Sequence, residues 1–399
     1  MSTLNDTPMS ERTHIGIFGR RNAGKSSLIN AICGQELAIV SEVAGTTTDP
    51  VYKSMEILPL GPVVLIDTAG IDDGGELGKK RVRKATEVLR KIDIALIVVD
   101  SRVGISEHEK DLINHLDKPY ILVYNKCDLL ENSVQSVSAV PNSVTNFTFV
   151  SSTKGVNIKK LREKIALLTV KSDDKTPFVE DLVDSGDIIL LVMPQGAAAP
   201  KSRLILPEQQ AVRAIIDKDG ICVSIKDPWQ IPDCLKSLSA KPKMVIVDSQ
   251  IYEEAKDLVP DDILLTSFSI LMARYRGTLF PAAEGAKAIE NLQAGDFVLI
   301  SEGCTHHRQC DDIGTVKLPA WLQKYTGRQL NFEYTAGRDF KSEFGKYKLI
   351  IHCGGCMLND MEMQFRYAEA LRAGVPITNY GIAIAYMNGI LERAMRPFR

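Results

Sequence analysis

Short apolar runs that are typical of buried β-strands recur along this chain of 399 residues, and segments with the periodicity of amphipathic helices separate them. Helical periodicity is clearest over residues 207–217 and 268–276. Because strands that alternate with helices form parallel sheets covered by helices, the pattern predicts an α/β fold. The strand-like runs cover residues 13–18, 63–66, 121–124, 187–193, 244–248, 263–266, 297–300 and 347–351.

A polar segment that ends at Pro177 interrupts this pattern and predicts a domain boundary. The length is typical of two or three domains, and we predict a first domain over 1–172, a small α/β domain over 178–276 and a third α/β domain over 279–399. We recognise no catalytic constellation in the middle domain, whose loop 193–200 is apolar and punctuated by glycine and proline. Because exposed apolar loops often mark interfaces, we expect this domain to mediate dimerisation.

The composition is that of an ordinary globular protein, and it argues against several functions. The chain is 45% hydrophobic and 25% charged, with a net charge of −2, so we expect no general affinity for nucleic acids or anionic membranes. No apolar run approaches the ~18 residues that would span a bilayer. Residues 1–12 lack the apolar stretch of a signal peptide, and the eight cysteines are scattered. We therefore expect a cytoplasmic protein.

A phosphate-binding loop follows the first strand-like run. Residues 19–26 have the pattern Gly-x-x-x-x-Gly-Lys-Ser, and an apolar helical segment begins at Leu28. In this context backbone N–H groups bind the phosphates, Lys25 neutralises charge on the β- and γ-phosphates, and the Ser26 hydroxyl binds Mg²⁺. The residues predicted to bind nucleotide here are Gly19, Asn22, Ala23, Gly24, Lys25, Ser26 and Ser27.

Two further strand-like runs end in motifs that complete a nucleotide site. Residues 67–70 have the sequence Asp-Thr-Ala-Gly, in which Asp67 can hold Mg²⁺ through water and Gly70 can offer its N–H to the γ-phosphate. Residues 125–128 have the sequence Asn-Lys-Cys-Asp, and the carboxylate of Asp128 can accept two N–H bonds from guanine, which adenine cannot supply. The residues predicted to surround the base are Asn125, Lys126, Asp128, Ser151 and Ser152.

Together these motifs resemble those of small GTPases over residues 12–170 and, among them, the branch that contains the tRNA-modifying enzyme TrmE. The segment Gly45-Thr46-Thr47-Thr48-Asp49 is similar to the switch of that branch, whose threonine binds Mg²⁺ in the GTP state. The resemblance implies GTP hydrolysis. It implies that the catalytic residues are Lys25, Thr47, Asp67 and Gly70.

Two departures from the Ras-like pattern bear on this resemblance. Ile71 stands where Ras-like proteins carry a glutamine that orients the attacking water. The resemblance to the TrmE branch implies that a K⁺ ion held by Asn22 compensates, although a turn residue is an alternative explanation of this asparagine. Residues 151–153 are Ser-Ser-Thr instead of the usual Ser-Ala-Lys, which weakens the expected contacts to the base edge.

Two cysteine loops follow strand-like runs in the last part of the chain. Cys304-Thr305-His306 follows the run 297–300, and His352-Cys353-Gly354-Gly355-Cys356 follows the run 347–351. If these strands are parallel neighbours, both loops leave the same carboxyl edge of one sheet, where α/β folds bind ligands. A helix beginning near Asn359 would lower the pKa of the thiols. Thiolates in this pattern fit either a closed structural zinc site or an iron–sulfur cluster with three cysteines.

The combination of a TrmE-like GTPase domain, a middle domain and these cysteines resembles the HydF family over nearly the whole chain. HydF proteins are GTPases that assist the maturation of FeFe hydrogenases. The resemblance implies a 4Fe-4S cluster on Cys304, Cys353 and Cys356. It also implies a scaffold, expected to be a homodimer, that receives the diiron precursor of the H-cluster from radical-SAM maturation enzymes and delivers it to apo FeFe-hydrogenase.

Three cysteines leave one iron of such a cluster without a thiolate. His306, His352 and Asp311 are candidates for a fourth ligand or for hydrogen bonds to the cluster. We rank Cys310 last, because an all-thiolate cluster would be inert as a carrier. The competing function is a ribosome- or tRNA-directed TrmE-like GTPase with a zinc-stabilised third domain, which an analysis of bound metal and sulfide distinguishes.

Overall fold

Three β-sheets form the framework of the described part of the chain, which in this computed structural model comprises residues 7–34, 51–58, 60–68, 87–130, 146–170, 176–194, 204–303, 312–337, 340 and 343–399. One sheet lies in the compact unit Met1–Asp174, and the other two lie in the compact unit Lys175–Arg399. Helices alternate with strands in both units, and the paired strands are parallel in every case but one. The predicted α/β fold class is therefore confirmed.

The sheet of the first unit has six strands in the order β2-β3-β1-β4-β5-β6, and the pair β2–β3 is antiparallel. Its strands are β1 Thr13–Phe18, β2 Val51–Ile57, β3 Gly61–Asp67, β4 Ile94–Asp100, β5 Tyr120–Asn125 and β6 Phe147–Phe149. The helices described in this unit are α1 Lys25–Cys33, α2 Glu107–Asn114 and α3 Ile158–Val170.

The central strands of this sheet are apolar almost without interruption because both of its faces are covered. The first six residues of β4 are all buried. Leu28 of α1 and Leu161 of α3 pack in one core cluster with Val98 of β4, and Ile66 of β3 belongs to a second cluster. Since parallel strands present their carboxyl ends at one edge, β1, β3 and β5 bring the three predicted nucleotide motifs together there.

The second unit begins with a four-stranded parallel sheet in the order β10-β9-β7-β8. Its strands are β7 Ile188–Val192, β8 Ile221–Ile225, β9 Met244–Val247 and β10 Leu264–Ser267. The helices between and after them are α4 Leu206–Asp217, α5 Ile231–Ser237, α6 Tyr252–Ala255 and α7 Phe268–Tyr275.

A second four-stranded parallel sheet follows, in the order β12-β11-β13-β14. Its strands are β11 Phe297–Glu302, β12 Asn331–Ala336, β13 Tyr347–His352 and β14 Ile377–Asn379. The helices of this part are α8 Leu279–Ala286, α9 Leu318–Thr326, α10 Asp360–Arg372, α11 Tyr380–Met387 and α12 Leu391–Ala394.

The two sheets of the second unit share one hydrophobic core. Val247 of β9 and Leu265 of β10 belong to the same contiguous cluster of buried side chains as Leu299 of β11 and Ile351 of β13. The boundary predicted between residues 276 and 279 therefore falls inside one compact unit, and the three-domain division stays a prediction.

The helices of this protein are short where the structure describes them. The longest, α3 and α10, have 13 residues each, whereas a membrane-spanning helix needs about 20 apolar residues. No helix in the described ranges is long and apolar enough to cross a lipid bilayer.

Candidate functional site

The loop between β1 and α1 has the predicted strand–loop–helix context, with two glycines at positions where a side chain would not fit. Gly24 has φ 92°, and a Cβ there would lie 2.3 Å from Nδ2 of Asn125. A Cβ on Gly19, which has φ 144°, would lie 2.1 Å from the carbonyl oxygen of Val98. Asn22 also adopts a left-handed conformation, with φ 63°. The loop therefore packs tightly against the ends of neighbouring strands, and its glycines are sterically required.

The side chain of Lys25 lies against the loop that precedes it. Its Nζ donates hydrogen bonds to the carbonyl oxygens of Gly19 and Arg20, both over 2.9 Å. The lysine is almost fully buried. Its positive charge is thus held at the loop and not in solvent, which is the placement that a phosphate-binding lysine requires.

Ser26 and Asp67 come together from two different elements. The Ser26 hydroxyl donates a hydrogen bond of 2.7 Å to Oδ2 of Asp67. Burial raises the pKa of Asp67, while the Ser26 hydroxyl and the charge of Lys25 lower it. The other carboxylate oxygen, Oδ1, is buried and accepts no hydrogen bond from the described residues. A hydroxyl beside a carboxylate oxygen without a donor fits Mg²⁺, which prefers oxygen ligands and their bound waters. Thr47 and Gly70 lie outside the described residues.

A single buried side chain, Asn125, connects the phosphate loop to the loop after β6. Its Nδ2 donates to the carbonyl oxygens of Ala23 at 3.1 Å and Gly24 at 3.4 Å. Its Oδ1 accepts from the backbone N–H of Ser152 at 3.1 Å and from the Ser152 hydroxyl at 2.8 Å. The predicted base-contacting residues Asn125 and Ser152 are therefore in direct contact, and the asparagine fixes the spacing of the two loops.

Lys126 reaches back over the phosphate loop and forms an ion pair that the sequence did not indicate. It has φ 63°, and its Nζ donates to the carbonyl oxygen of Asn22 at 2.6 Å and to Oδ2 of Asp100 at 2.9 Å. Hydrogen bonds from Arg102 and Lys126 hold the pKa of Asp100 well below its ordinary value. Sequence analysis missed Asp100, although its position directly after the apolar run of β4 is a usable signal.

Asp128 is held in the ionised state at the same edge. The Ser151 hydroxyl is the largest cause that lowers its pKa, and the ammonium group of Lys154, 3.7 Å away, lowers it further. Its Oδ1 is buried and has no hydrogen-bond donor among the described residues. An ionised carboxylate with an oxygen that lacks a donor is suited to accept N–H bonds from a ligand.

Cys353 lies at the carboxyl ends of the neighbouring strands β11 and β13. These strands are parallel, as predicted, and Ser301 pairs with His352. The backbone N–H of Cys353 donates to the Ser301 carbonyl over 2.8 Å. The Cys353 sulfur accepts from the N–H of Gly303 at 3.0 Å and of Gly355 at 3.3 Å. Two backbone donors on one sulfur favour the thiolate, the form that binds metals.

Cys356 lies in a more apolar position than Cys353, just before a helix. Burial raises the pKa of its thiol, and the charge of Arg276 lowers it. Helix α10 begins at Asp360, and the Asn359 side chain caps it by accepting from the N–H of Glu362 at 3.0 Å. The predicted helix start near Asn359 is confirmed, and it places the positive end of the helix dipole on the side of the cysteine loop.

His352 is fully buried, and both of its ring nitrogens have partners. Nδ1 lies 2.7 Å from the Cys353 carbonyl, and Nε2 lies 3.0 Å from Nη1 of Arg366. Because a guanidinium can only donate, Nε2 accepts and Nδ1 carries the proton. Burial and the neighbouring Arg366 lower the pKa of His352 to about 3. The partners of both nitrogens are a backbone carbonyl and a guanidinium, so in this structure neither nitrogen is directed at a metal ligand atom; the two predicted roles of His352 stay predictions.

The described residues contain no group of three or more histidine, cysteine, aspartate or glutamate side chains that could hold a metal ion. Cys304, His306, Cys310 and Asp311 lie outside the described residues. Cys304 directly follows Gly303, whose N–H contacts the Cys353 sulfur. The described thiols of Cys353 and Cys356 are soft ligands, and their chemistry fits zinc or an iron–sulfur cluster.

Three family models match the chain. "50S ribosome-binding GTPase" matches residues 14–126, which confirms the predicted GTPase domain. "Hydrogen maturase F dimerization domain" matches residues 178–277, and "Hydrogen maturase F tetramerization domain" matches residues 281–397. The family model of residues 281–397 is thus described by tetramerisation, whereas the sequence predicts that the same residues bind a metal cluster.

Curated relatives resemble part of the chain. GTPase Der of Kosmotoga olearia is 35% identical over 178 residues, which cover 41% of this chain and 40% of the relative. The tRNA modification GTPase MnmE of Desulforamulus reducens is 29% identical over 222 residues, which cover 54% of this chain and 46% of the relative. The chain therefore spans less than half the length of these two relatives.

Solved structures with similar folds include Era of Aquifex aeolicus bound to GDP.AlF4-, with 18% identity and a TM-score of 0.35. That likeness covers 57% of this chain and 98% of the Era chain. A probable GTP-binding protein, engB, has 22% identity and a TM-score of 0.33, and its likeness covers 40% of this chain and all of the engB chain.

Proposed function

The chain belongs to the HydF (hydrogen maturase F) family, whose two domain models match it over residues 178–277 and 281–397, and we propose that it is a GTP-hydrolysing scaffold in the maturation of FeFe hydrogenases. The observation that supports this most directly is the presence of two chemically distinct sites in one chain. A nucleotide site surrounds Asn125, and a cysteine loop leaves β13.

In this proposal the phosphate loop binds GTP through its backbone N–H groups, and Lys25 turns from the loop carbonyls to the β- and γ-phosphates. Ser26, Asp67 and, in the GTP state, Thr47 would hold Mg²⁺, and Gly70 would donate its N–H to the γ-phosphate. When bound, Mg²⁺ neutralises charge that develops on the transferring phosphoryl group. Lys25 acts on the same charge, so the two cations stabilise one transition state.

We propose that Asp128 selects guanine by accepting two N–H bonds, while Asn125 and Lys126 hold the loops around the base. A hydrogen bond from Ser151 lowers the pKa of Asp128, and Ser152 fixes the orientation of Asn125. A K⁺ ion held by Asn22 would supply the positive charge that an arginine supplies in other GTPases.

We further propose that Cys304, Cys353 and Cys356 ligate a resident 4Fe-4S cluster. Since both nitrogens of His352 have partners, the fourth position goes to His306, to Asp311 or to an exchangeable ligand. When bound, such a cluster would offer one iron that is not saturated by thiolates, which suits a carrier. The backbone N–H groups of Gly303 and Gly355 that donate to the Cys353 sulfur would then help to tune the cluster.

The cargo in this proposal is the diiron precursor of the H-cluster, received from radical-SAM maturation enzymes and delivered to apo FeFe-hydrogenase. The family descriptions of residues 178–277 and 281–397 name dimerisation and tetramerisation, so we propose a homo-oligomer built on a dimer. We place it in the cytoplasm and propose no nucleic-acid or membrane partner, in keeping with the net charge of −2.

Anaerobic purification with metal, sulfide and GTPase assays tests the proposal. Lys25→Ala should abolish GTP hydrolysis and keep iron and sulfide, because the lysine acts on phosphate alone. Cys353→Ser should lose iron and keep GTP hydrolysis. Cys222→Ser, which changes a half-buried cysteine of β8, is the matched control and should keep both.

The competing function predicts a different metal. Stoichiometric zinc without sulfide in the wild-type protein would favour a ribosome- or tRNA-directed GTPase with a zinc-stabilised third domain. ATP hydrolysed as fast as GTP would contradict the base-reading role of Asp128.

A further inference from the structure

A buried arginine lies under the cysteine loop. Arg276 directly follows α7 and is 1% exposed. Its Nη1 donates to the carbonyl oxygen of Gly355 at 2.5 Å and lies 3.3 Å from that of Gly354. These are the two residues between Cys353 and Cys356. The guanidinium therefore binds the backbone that separates the two thiols.

The cysteine loop packs closely against this guanidinium at Gly355. Gly355 has φ 63°, and a Cβ there would lie 3.0 Å from Nη1 of Arg276 and 2.5 Å from the Met363 sulfur. The backbone of Arg276 is also fixed, because its N–H donates to the Met272 carbonyl at 3.1 Å and its carbonyl accepts from Gln364 at 3.2 Å. The guanidinium is thus presented to the cysteine loop from a fixed backbone.

The charge of Arg276 is only partly balanced in this structure. Arg276 forms an ion pair with Asp360. Oδ1 of Asp360 lies 3.9 Å from Nε of Arg276, which is beyond hydrogen-bond distance. Nε and Nη2 are buried and make no hydrogen bond with the described residues. A buried cation is costly unless an anion lies close to it. An iron–sulfur cluster held by thiolates of the adjacent loop would supply that anion.

We propose that Arg276 is a positioning residue for the metal cluster: it sets the curve of the Cys353–Cys356 loop and places a fixed positive charge beside the ligating thiolates. The role rests on the proposed cluster site, and Arg276 lies outside the cysteine segment. Arg276 belongs to the stretch matched by the dimerisation model, residues 178–277. The middle segment therefore contributes directly to the cluster environment.

The charge has a consequence for redox behaviour. A cluster gains one negative charge on reduction, and a nearby buried cation stabilises the reduced form more than the oxidised form. Arg276 should therefore make the reduction potential less negative than it would be without the guanidinium. A role limited to packing would leave the potential unchanged.

Two substitutions and one control separate the charge from the hydrogen bonds. Arg276→Gln removes the charge, and we expect a more negative reduction potential in a redox titration followed by electron paramagnetic resonance. Arg276→Lys keeps the charge, so its potential should stay near that of the wild type. Both should release iron to a chelator about tenfold faster, since residues that support metal ligands typically change affinity by about 10- to 100-fold. Arg274 lies on α7, shortly before Arg276, and pairs with Asp181. Arg274→Gln removes this ion pair and should change neither quantity.

Failure of the proposed Arg276 role can be distinguished from failure of the proposed cluster site. If the wild-type protein holds no iron and sulfide, the proposed function fails first. If the wild type holds the cluster and Arg276→Gln matches it in potential and in iron release, the role of Arg276 is overturned. GTP hydrolysis and thermal unfolding check that each variant is folded. If the glutamine variant does not fold, iron release from Arg276→Lys decides, and a rate equal to that of the wild type contradicts the inference.

Discussion

The guanidinium of Arg366 donates a hydrogen bond of 3.0 Å to Nε2 of His352, which fixes the imidazole proton on Nδ1, where the Cys353 carbonyl accepts it at 2.7 Å. Arg366 is itself fully buried and bonds the carboxylate of Glu362 at 3.1 Å and the carbonyl of Gly337 at 2.9 Å. The histidine beside the cysteine loop is thus one member of a buried hydrogen-bonded chain, and this chain orients the backbone of Cys353.

Replacement of His352 should therefore affect stability more than metal content. In His352→Ala, Nη1 of Arg366 loses its acceptor, and a buried donor left unsatisfied costs about 1–3 kcal/mol. We expect the free energy of unfolding in urea to fall by about that amount, with iron and sulfide still bound. Loss of iron with unchanged stability would instead identify His352 as a ligand.

Substitution of Asp128 should change which purine nucleotide the protein prefers. Asp128→Asn presents an amide to the two guanine N–H groups, so kcat/KM for GTP should fall by about 100-fold or more, and xanthosine triphosphate should become the better substrate. Asp117→Asn, at an exposed position of the same unit, is the control and should hydrolyse GTP normally. Equal rates for the two nucleotides in Asp128→Asn would contradict the assigned role.

Asp100 should contribute pH-dependent stability through its hydrogen bonds with Arg102 and Lys126. Its pKa lies below the ordinary 3.8, so the stabilisation is fully present above pH 3.8 and is lost as the pH falls through the lower folded-state pKa. Asp100→Asn should lower the free energy of unfolding by about 1–3 kcal/mol at pH 7. The difference from the wild type, measured in urea, should shrink below pH 3.8; a difference that does not change with pH would exclude the carboxylate as its source.

Gly24 is required for a steric reason, and Gly104 provides a control glycine that lacks the steric conflict. Gly24→Ala places a Cβ 2.3 Å from Nδ2 of Asn125, which should break the bonds of that amide to the phosphate loop and weaken GTP binding about tenfold or more. Gly104 also has positive φ, at 76°, but a Cβ there meets nothing within 4 Å. Gly104→Ala should lower only the stability of the protein, through backbone strain at positive φ. Calorimetric titration should therefore show weakened GTP binding in Gly24→Ala and not in Gly104→Ala.

The sequence by itself determined the local elements and the motifs that follow them. Apolar runs predicted the strands β1, β3, β5, β11 and β13 to within a few residues, because the burial of both faces of a parallel sheet imposes a continuous apolar pattern. Motif order also predicted that the nucleotide motifs lie at one carboxyl edge of the first sheet. It predicted separately that the strands before the two cysteine loops are parallel neighbours in another sheet. These properties depend on neighbours in sequence or on general rules of sheet topology.

Only the tertiary structure decided which partner each functional side chain has. Arg276 reaches a loop 78 residues later in the chain, Asn125 connects loops that precede and follow it, and His352 has both nitrogens occupied. The sequence also showed no sign that the segments on either side of residues 276–279 share one hydrophobic core. Such contacts depend on how whole elements pack, and a single sequence contains no local signal for them because the residues that meet are far apart along the chain.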